Sequence, residues 1–288
     1  MNALARMEEN ALMFDLRRTA ARRVCATAVA WHASGGTPRT IAYDELVSLA
    51  ETAARGLHAL GVRPGDRVAD FCDEGPSVVL AILAIGCAGA VLVPLDPAAP
   101  PLRLRRLILD SQPAIALCSA GSAMVRLAGG GGASGASTHS CDAPACTSRA
   151  FFSEEERPAS DCAGCELGVK TVTLELLLEL GRSFQRTQRE AAASGSTATE
   201  QGPAGESLRR AGSLPLSHLV YTSGSSGTPK GVACPAAALH SYCLAKVAAQ
   251  RIDASSRVLL ASAHTWDPCV GDVWSTLSAG GTLCLVSR

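Results

Sequence analysis

The stretch of this 288-residue chain with the most chemistry in it is Thr222-Ser223-Gly224-Ser225-Ser226-Gly227-Thr228-Pro229-Lys230-Gly231, entered directly from the apolar run Leu219-Val220-Tyr221. A strand that opens into glycines and hydroxyls can present backbone N–H groups at close range, and Lys230 adds a point charge, a combination suited to a polyphosphate. The spacing is not that of a Walker A loop. That motif needs Gly-x-x-x-x-Gly-Lys followed by Ser or Thr, whereas here Gly231 follows Lys230. A Gly/Ser loop of no fixed pattern is most simply a turn that binds nothing; the order of strand, hydroxyls, Pro229 and Lys230 favours phosphate binding.

Two further groups invite chemistry. Asp267 precedes Pro268 and the apolar positions Val270, Val273, Trp274 and Leu277, so it reads as the N-terminal cap of a helix. Cys162 and Cys165, with Cys141 and Cys146 nearby, would need four converging thiolates to hold zinc. Their unlike spacings, with no strand or turn pattern around them, favour surface thiols instead. The chain has twelve cysteines, several of them (Cys87, Cys118, Cys243, Cys284) inside apolar stretches where a free thiol packs as a small hydrophobe. The expected compartment is reducing and cytoplasmic.

The elements that must position these residues follow from composition and periodicity. Hydrophobic residues make up 47 % and charged residues 18 %, with 26 basic against 26 acidic side chains, so a packed globular core is expected and nucleic-acid binding is not. Residues 10–23 predict a helix, 26–31 a strand, 43–60 a helix ended by Gly61, 76–87 an apolar helix, 90–93 a strand, 100–110 a helix and 115–118 a strand. Residues 78–95 carry no charge, but Gly86, Gly89 and Pro94 break the run, so helix plus strand is preferred to a membrane span. Alternating strands and helices imply an α/β fold with a largely parallel sheet. The Gly-, Ser- and Ala-rich texture of 129–168 and 182–213 predicts low-complexity, disordered insertions flanking a short strand and helix at 169–180.

The decapeptide resembles the phosphate-binding signature of the adenylate-forming superfamily, which includes acyl-CoA synthetases, luciferases and the adenylation domains of nonribosomal peptide synthetases. Thr40-Ile41-Ala42-Tyr43-Asp44-Glu45-Leu46 and Ala88-Gly89-Ala90-Val91-Leu92-Val93-Pro94-Leu95-Asp96-Pro97 are similar to earlier family motifs. His264-Thr265-Trp266-Asp267-Pro268-Cys269 is similar to the segment lining the acyl pocket of amino-acid-activating members. The resemblance implies the N-terminal portion of that family's large domain over 1–288, with ATP and Mg2+ as cofactors. It implies activation of a carboxylic acid, expected to be an amino acid, as its acyl-adenylate with release of pyrophosphate, for transfer to CoA or a carrier-protein pantetheine thiol. Carried over by position, Thr222, Ser223, Gly224, Ser225, Ser226, Gly227 and Thr228 would hold the β- and γ-phosphates, and Lys230 would add the catalytic charge. Asp267 would pair with a substrate α-ammonium, and Pro268 and Gly271 would line the side-chain pocket. No carboxylate can be nominated for Mg2+.

Trp266 stands where the family has Phe, and Cys269 where it has Ser. The adenine and ribose motifs and the small C-terminal domain with its lysine are not found by Arg288. The expectation is therefore a part of such an enzyme, not competent alone. The alternatives are an inactive short form acting as a binding or regulatory module, and a fatty- or aryl-acid CoA ligase.

Overall fold

A computed structural model describes residues 11–32, 36–72, 75–119, 169–193, 215–223 and 228–286. In chain order the elements are α1 (Ala11–Arg22), β1 (Thr27–His32), β2 (Pro38–Ala42), α2 (Tyr43–Ala59), β3 (Arg67–Asp70), α3 (Gly75–Cys87), β4 (Val91–Pro94), α4 (Pro101–Ser111) and β5 (Ile115–Cys118). There follow β6 (Thr171–Thr173), α5 (Leu174–Ala193), β7 (Leu216–Thr222), β8 (Lys230–Pro235), α6 (Ala236–Gln250), β9 (Arg257–Leu260), α7 (Asp267–Ala279) and β10 (Thr282–Leu285).

The strands form two sheets where periodicity implies one. The larger has the order β6-β5-β3-β4-β7-β8 and is parallel except for the antiparallel β7–β8 pair. The smaller has the order β2-β1-β10-β9, with β10 parallel to both β1 and β9. Strands β4 and β5 are buried at every residue, as expected of central parallel strands covered on both sides. Alternate residues serve different cores. Val68, Leu92, Ile115 and Leu117 join the main core, which also takes residues from α1, α2, α3, α5, α6 and α7 and from the smaller sheet. Ala69, Val93, Ala116 and Cys118 face the opposite way, onto Leu104, Leu107 and Ile108 of α4.

The uncharged 78–95 run is the apolar helix and strand expected, with Val78, Val79, Ala81, Ile82, Leu83, Ala84 and Ile85 all buried in α3. No described helix is long and apolar enough to cross a membrane.

One boundary differs from expectation. Helix α5 continues to Ala193, so residues 182–193 of the predicted second insertion are helical; the rest of that segment to 213, and all of 129–168, lie outside the described residues. The reason is packing. Gly181 does not end the helix but marks where α5 crosses α2: a Cβ there would lie 1.9 Å from the Thr52 carbonyl oxygen, and one at Gly56 of α2 would lie 2.2 Å from the Leu177 carbonyl oxygen. Two glycines on facing helices let the backbones touch, and tertiary contact outweighs the weak helix propensity of Gly.

Candidate functional site

Strands β7 and β8 are the arms of a hairpin whose connecting residues, 223–229, are the middle of the hydroxyl-rich motif. Thr222 and Lys230 are register partners that close it, and the Thr222 hydroxyl lies 3.5 Å from the Lys230 carbonyl oxygen. Thr222, Ser223, Thr228 and Lys230 are all exposed, so three hydroxyls and one ammonium stand at the loop end of the hairpin. Gly224, Ser225, Ser226 and Gly227 lie outside the described residues.

Side-chain alternation places His218, Val220 and Thr222 of β7 on one face, with their partners Cys234, Val232 and Lys230 of β8. On the other face Tyr221 donates to Asp110 Oδ2 of α4 at 2.6 Å, which fixes the hairpin to the neighbouring helix. Burial and the adjacent Asp110 carboxylate both push the Tyr221 hydroxyl well above its ordinary pKa.

Asp267 begins α7 but does not cap it. The cap position is Trp266, no side chain bonds the freed N–H groups, and Pro268 occupies the first turn. The Asp267 carboxylate instead reaches across to β7, with Oδ1 2.6 Å from His218 Nε2. The likeness to a cap fails because an adjacent strand offers a better partner than the helix's own backbone. His218 is wholly buried while the Asp267 side chain is 64 % exposed. Burial holds the imidazole below its ordinary pKa, although the Asp267 hydrogen bond and charge act in the opposite sense. Ser217 Oγ lies 2.7 Å from His218 Nδ1 and donates to the Cys234 carbonyl at 3.3 Å. Burial first, and then Asp267, push the Cys234 thiol up, with the Ser217 hydrogen bond opposing.

Pro268 is exposed and Gly271 buried. A Cβ on Gly271 would lie 2.5 Å from Tyr242 Cε1, so this glycine forms the seat of the Tyr242 ring of α6. Lys246 of the same helix pairs with Asp272, and its ammonium lies 5.7 Å from the Tyr242 ring centroid. Burial alone would lower the Lys246 pKa, but the Asp272 contact raises it on balance, as befits an ammonium that braces α6 against α7. Upstream, His264 Nε2 sits 3.0 Å from the Leu95 carbonyl, fastening the segment before α7 to the end of β4.

The structure thus places Thr222, Ser223, Thr228 and Lys230 at one end of the hairpin face, and Asp267 at the other end through His218. Four residue steps along the strand, about 13 Å, take His218 to Thr222. Sequence reasoning missed His218, Ser217 and Cys234. The available signal is a lone imidazole among the apolar residues Leu216, Leu219 and Val220, on the same alternation as Val220.

Solved structures share this architecture. VinN bound to 3-methylaspartate superposes with a TM-score of 0.65 at 20 % identity, over 96 % of this chain and 61 % of that one. A fatty acyl-adenylate ligase from Legionella pneumophila, in complex with acyl adenylate and pyrophosphate, gives 0.65 at 18 % identity over 96 % and 39 %. The fold is that of adenylate-forming enzymes. In sequence, the family model described as AMP-binding enzyme matches residues 16–288, and the chain belongs to that family. Nonribosomal peptide synthetase 8 of Aspergillus fumigatus is 29 % identical over 287 residues, covering all of this chain and 3 % of its own length. Novobiocin biosynthesis protein H of Streptomyces niveus is 30 % identical over 244 residues, 85 % of this chain and 33 % of that protein. The chain therefore spans a third or less of these two relatives.

Proposed function

We propose that this chain is the N-terminal portion of the large domain of an enzyme that condenses ATP with an amino acid, giving aminoacyl-AMP and pyrophosphate, the aminoacyl group then passing to a CoA or carrier-protein thiol. The observation that carries the reading is the shared face of the β7–β8 hairpin, with hydroxyls and an ammonium at one end and an oriented, solvent-facing carboxylate about 13 Å along it. That span suits an aminoacyl group in line with a triphosphate. The exposed donors fit the anionic phosphates, and among the described residues no carboxylate is assigned to Mg2+, which would neutralise charge on the phosphates.

In this reading the substrate carboxylate attacks the α-phosphorus in line and pyrophosphate leaves. Thr222, Ser223, Thr228 and Lys230, with the residues between them, hold the departing phosphates and stabilise the charge that develops there. Asp267 receives the α-ammonium, and His218 keeps its carboxylate from turning away. The similarity to nonribosomal peptide synthetases supports an amino acid over a fatty or aryl acid.

The test is amino-acid-dependent ATP–pyrophosphate exchange by the natural protein that contains this segment. Loss of a charge-assisted contact in Asp267→Ala is expected to lower the exchange kcat/KM by about 10- to 150-fold. Unchanged amino-acid exchange in that variant, or exchange driven only by fatty or aryl acids, contradicts the proposal.

A further inference from the structure

Among the described residues, three metal-capable side chains of different chemistry converge at one place. His218 Nε2 or Nδ1, Cys234 Sγ and a carboxylate oxygen of Asp267 lie within 4.8 Å of one another. His218 and Cys234 are register partners across β7 and β8, so the hairpin pairing itself sets them side by side, and Asp267 arrives from the first turn of α7. We propose that His218, Cys234 and Asp267 form a site for a borderline-soft divalent cation of the Zn2+ type, with a fourth position left to water.

The donor set selects the metal. One imidazole, one thiolate and one carboxylate suit Zn2+, whereas Mg2+ demands an octahedron of oxygens and keeps its waters, so this is not the ion that accompanies ATP. The dimensions are also compatible. Bonds of 2.0–2.3 Å in a tetrahedron set the ligand atoms about 3.3–3.8 Å apart. The 2.6 Å Nε2–Oδ1 contact must open and the widest separation close by about 1 Å or less. The group that must move is Asp267, whose side chain is exposed and stands at a helix end, while His218 is buried and fixed. That exposure also supplies an entry path and the open coordination position.

Ser217 supplies the partner that a ligating histidine needs at its second nitrogen. Without metal, its hydroxyl can donate to Nδ1, leaving the Nε2 proton for Asp267. With metal, the hydroxyl donates to the Cys234 carbonyl, accepts Nδ1–H, and frees the Nε2 lone pair. Both acceptors are within reach, at 2.7 and 3.3 Å. The step balances. The imidazole loses its Nε2 proton to water by way of the exposed Asp267 carboxylate, gains one at Nδ1 from water by way of the part-buried Ser217 hydroxyl, and so stays neutral; the Cys234 thiol releases one proton to water as the sulfur–metal bond forms, and Asp267 remains a carboxylate. Thiolate and carboxylate then neutralise the dication.

The site goes beyond adenylation, and where both hold, the cation and a substrate ammonium compete for Asp267. The test needs neither ATP nor acid. In the full chain with Cys141, Cys146, Cys162 and Cys165 replaced by Ser, to remove a rival thiol cluster, Co2+ is titrated under a non-thiol reductant. A thiolate-to-cobalt charge-transfer band with tetrahedral visible bands, saturating at one equivalent and displaced by Zn2+ but not by Mg2+, is expected. Cys234→Ser should abolish the charge-transfer band, and Asp267→Asn, at an exposed position that leaves the core intact, should weaken Co2+ binding at least tenfold. Ser217→Ala should keep the band while weakening binding by about 10- to 100-fold. Absence of the band in the parent, its survival in Cys234→Ser, or unchanged affinity in Asp267→Asn overturns the site. Any of these failures leaves the adenylation reading standing, because that reading is tested by exchange alone.

Discussion

An exposed carboxylate ordinarily gains little from a single partner, since solvent screens the contact and competes for it. Asp267 differs because its partner is buried: the imidazole has no water to turn to, so the contact confines the carboxylate's orientation even though most of its surface faces solvent. Among the described residues no buried partner holds the Lys230 ammonium. As an exposed point charge on the hairpin, it should contribute only about 1 kcal/mol to holding a phosphate. Lys230→Met is accordingly expected to weaken pyrophosphate binding roughly fivefold at physiological salt and less in 1 M salt, where the screening length falls to about 3 Å. Calorimetric titration at both salts checks this, and a loss independent of salt would remove Lys230 from the phosphate site. The buried thiols make a separate case. Burial pushes Cys118 and Cys243 up to about 12, with nearby carboxylates adding to the rise at Cys118 and Lys246 opposing it at Cys243. At pH 8 the thiolate fraction at such a group is about one part in ten thousand, so neither should be alkylated in the native chain while exposed Cys25 is. Peptide mapping after a short iodoacetamide pulse reads the outcome; labelling of Cys118 or Cys243 as fast as Cys25 would contradict their burial.

Helices α2 and α5 meet through glycines, and here two opposing effects can be ranked. Replacing Gly181 with Ala would stabilise an isolated helix by about 1 kcal/mol. In the folded chain the new methyl would lie 1.9 Å from a backbone oxygen that no side-chain rotation can move aside. Overpacking of this kind costs about 1–3 kcal/mol or more, so Gly181→Ala should lower stability in urea unfolding despite the gain in helix propensity. A variant as stable as the parent would show that the helices are not in contact there. The same crossing explains why part of this region escaped sequence reading. Helices α2, α3 and α4 and strands β4 and β5 were legible because periodicity, Gly61 and buried apolar runs are local signals. No periodicity reveals that Gly181 faces Thr52, so the helix is legible only to residue 180 and its continuation is not. Strand β9 and helix α6 were not predicted either: β9 is a short edge strand with Leu259 exposed, and α6 buries only Leu239 and Cys243. The β7–β8 hairpin is entered by a motif legible from its glycines and hydroxyls, whereas His218 meets Asp267 across 49 residues of sequence, a distance over which local pattern carries no information.

The smaller sheet depends on contacts between the two ends of the described chain. Strand β10 pairs with β1 in parallel, Val29 opposite Leu283, and the flanking groups reinforce the join: Thr282 Oγ1 donates to the Thr27 carbonyl at 2.8 Å and Thr19 Oγ1 to the Ser278 carbonyl at 2.7 Å. At the centre is Tyr43, the first residue of α2, fully buried with its hydroxyl 2.6 Å from the Gly281 carbonyl and 3.2 Å from that of Leu277. Burial raises the Tyr43 pKa well above the ordinary phenol value, with Arg23 opposing, so the hydroxyl stays a donor throughout the range in which the protein is folded. Tyr43→Phe keeps the ring and its packing but leaves a buried carbonyl without its donor, a change that costs about 1–3 kcal/mol. Because the bond ties the start of α2 to the turn between α7 and β10, the loss should spread beyond its own neighbourhood. Amide exchange in β1 and β10 should quicken together in Tyr43→Phe while β4 and β5, in the centre of the larger sheet, change only with global stability. Quickening confined to the residues next to position 43 would mean that the pairing of β1 with β10 and the two threonine bonds hold the join without Tyr43.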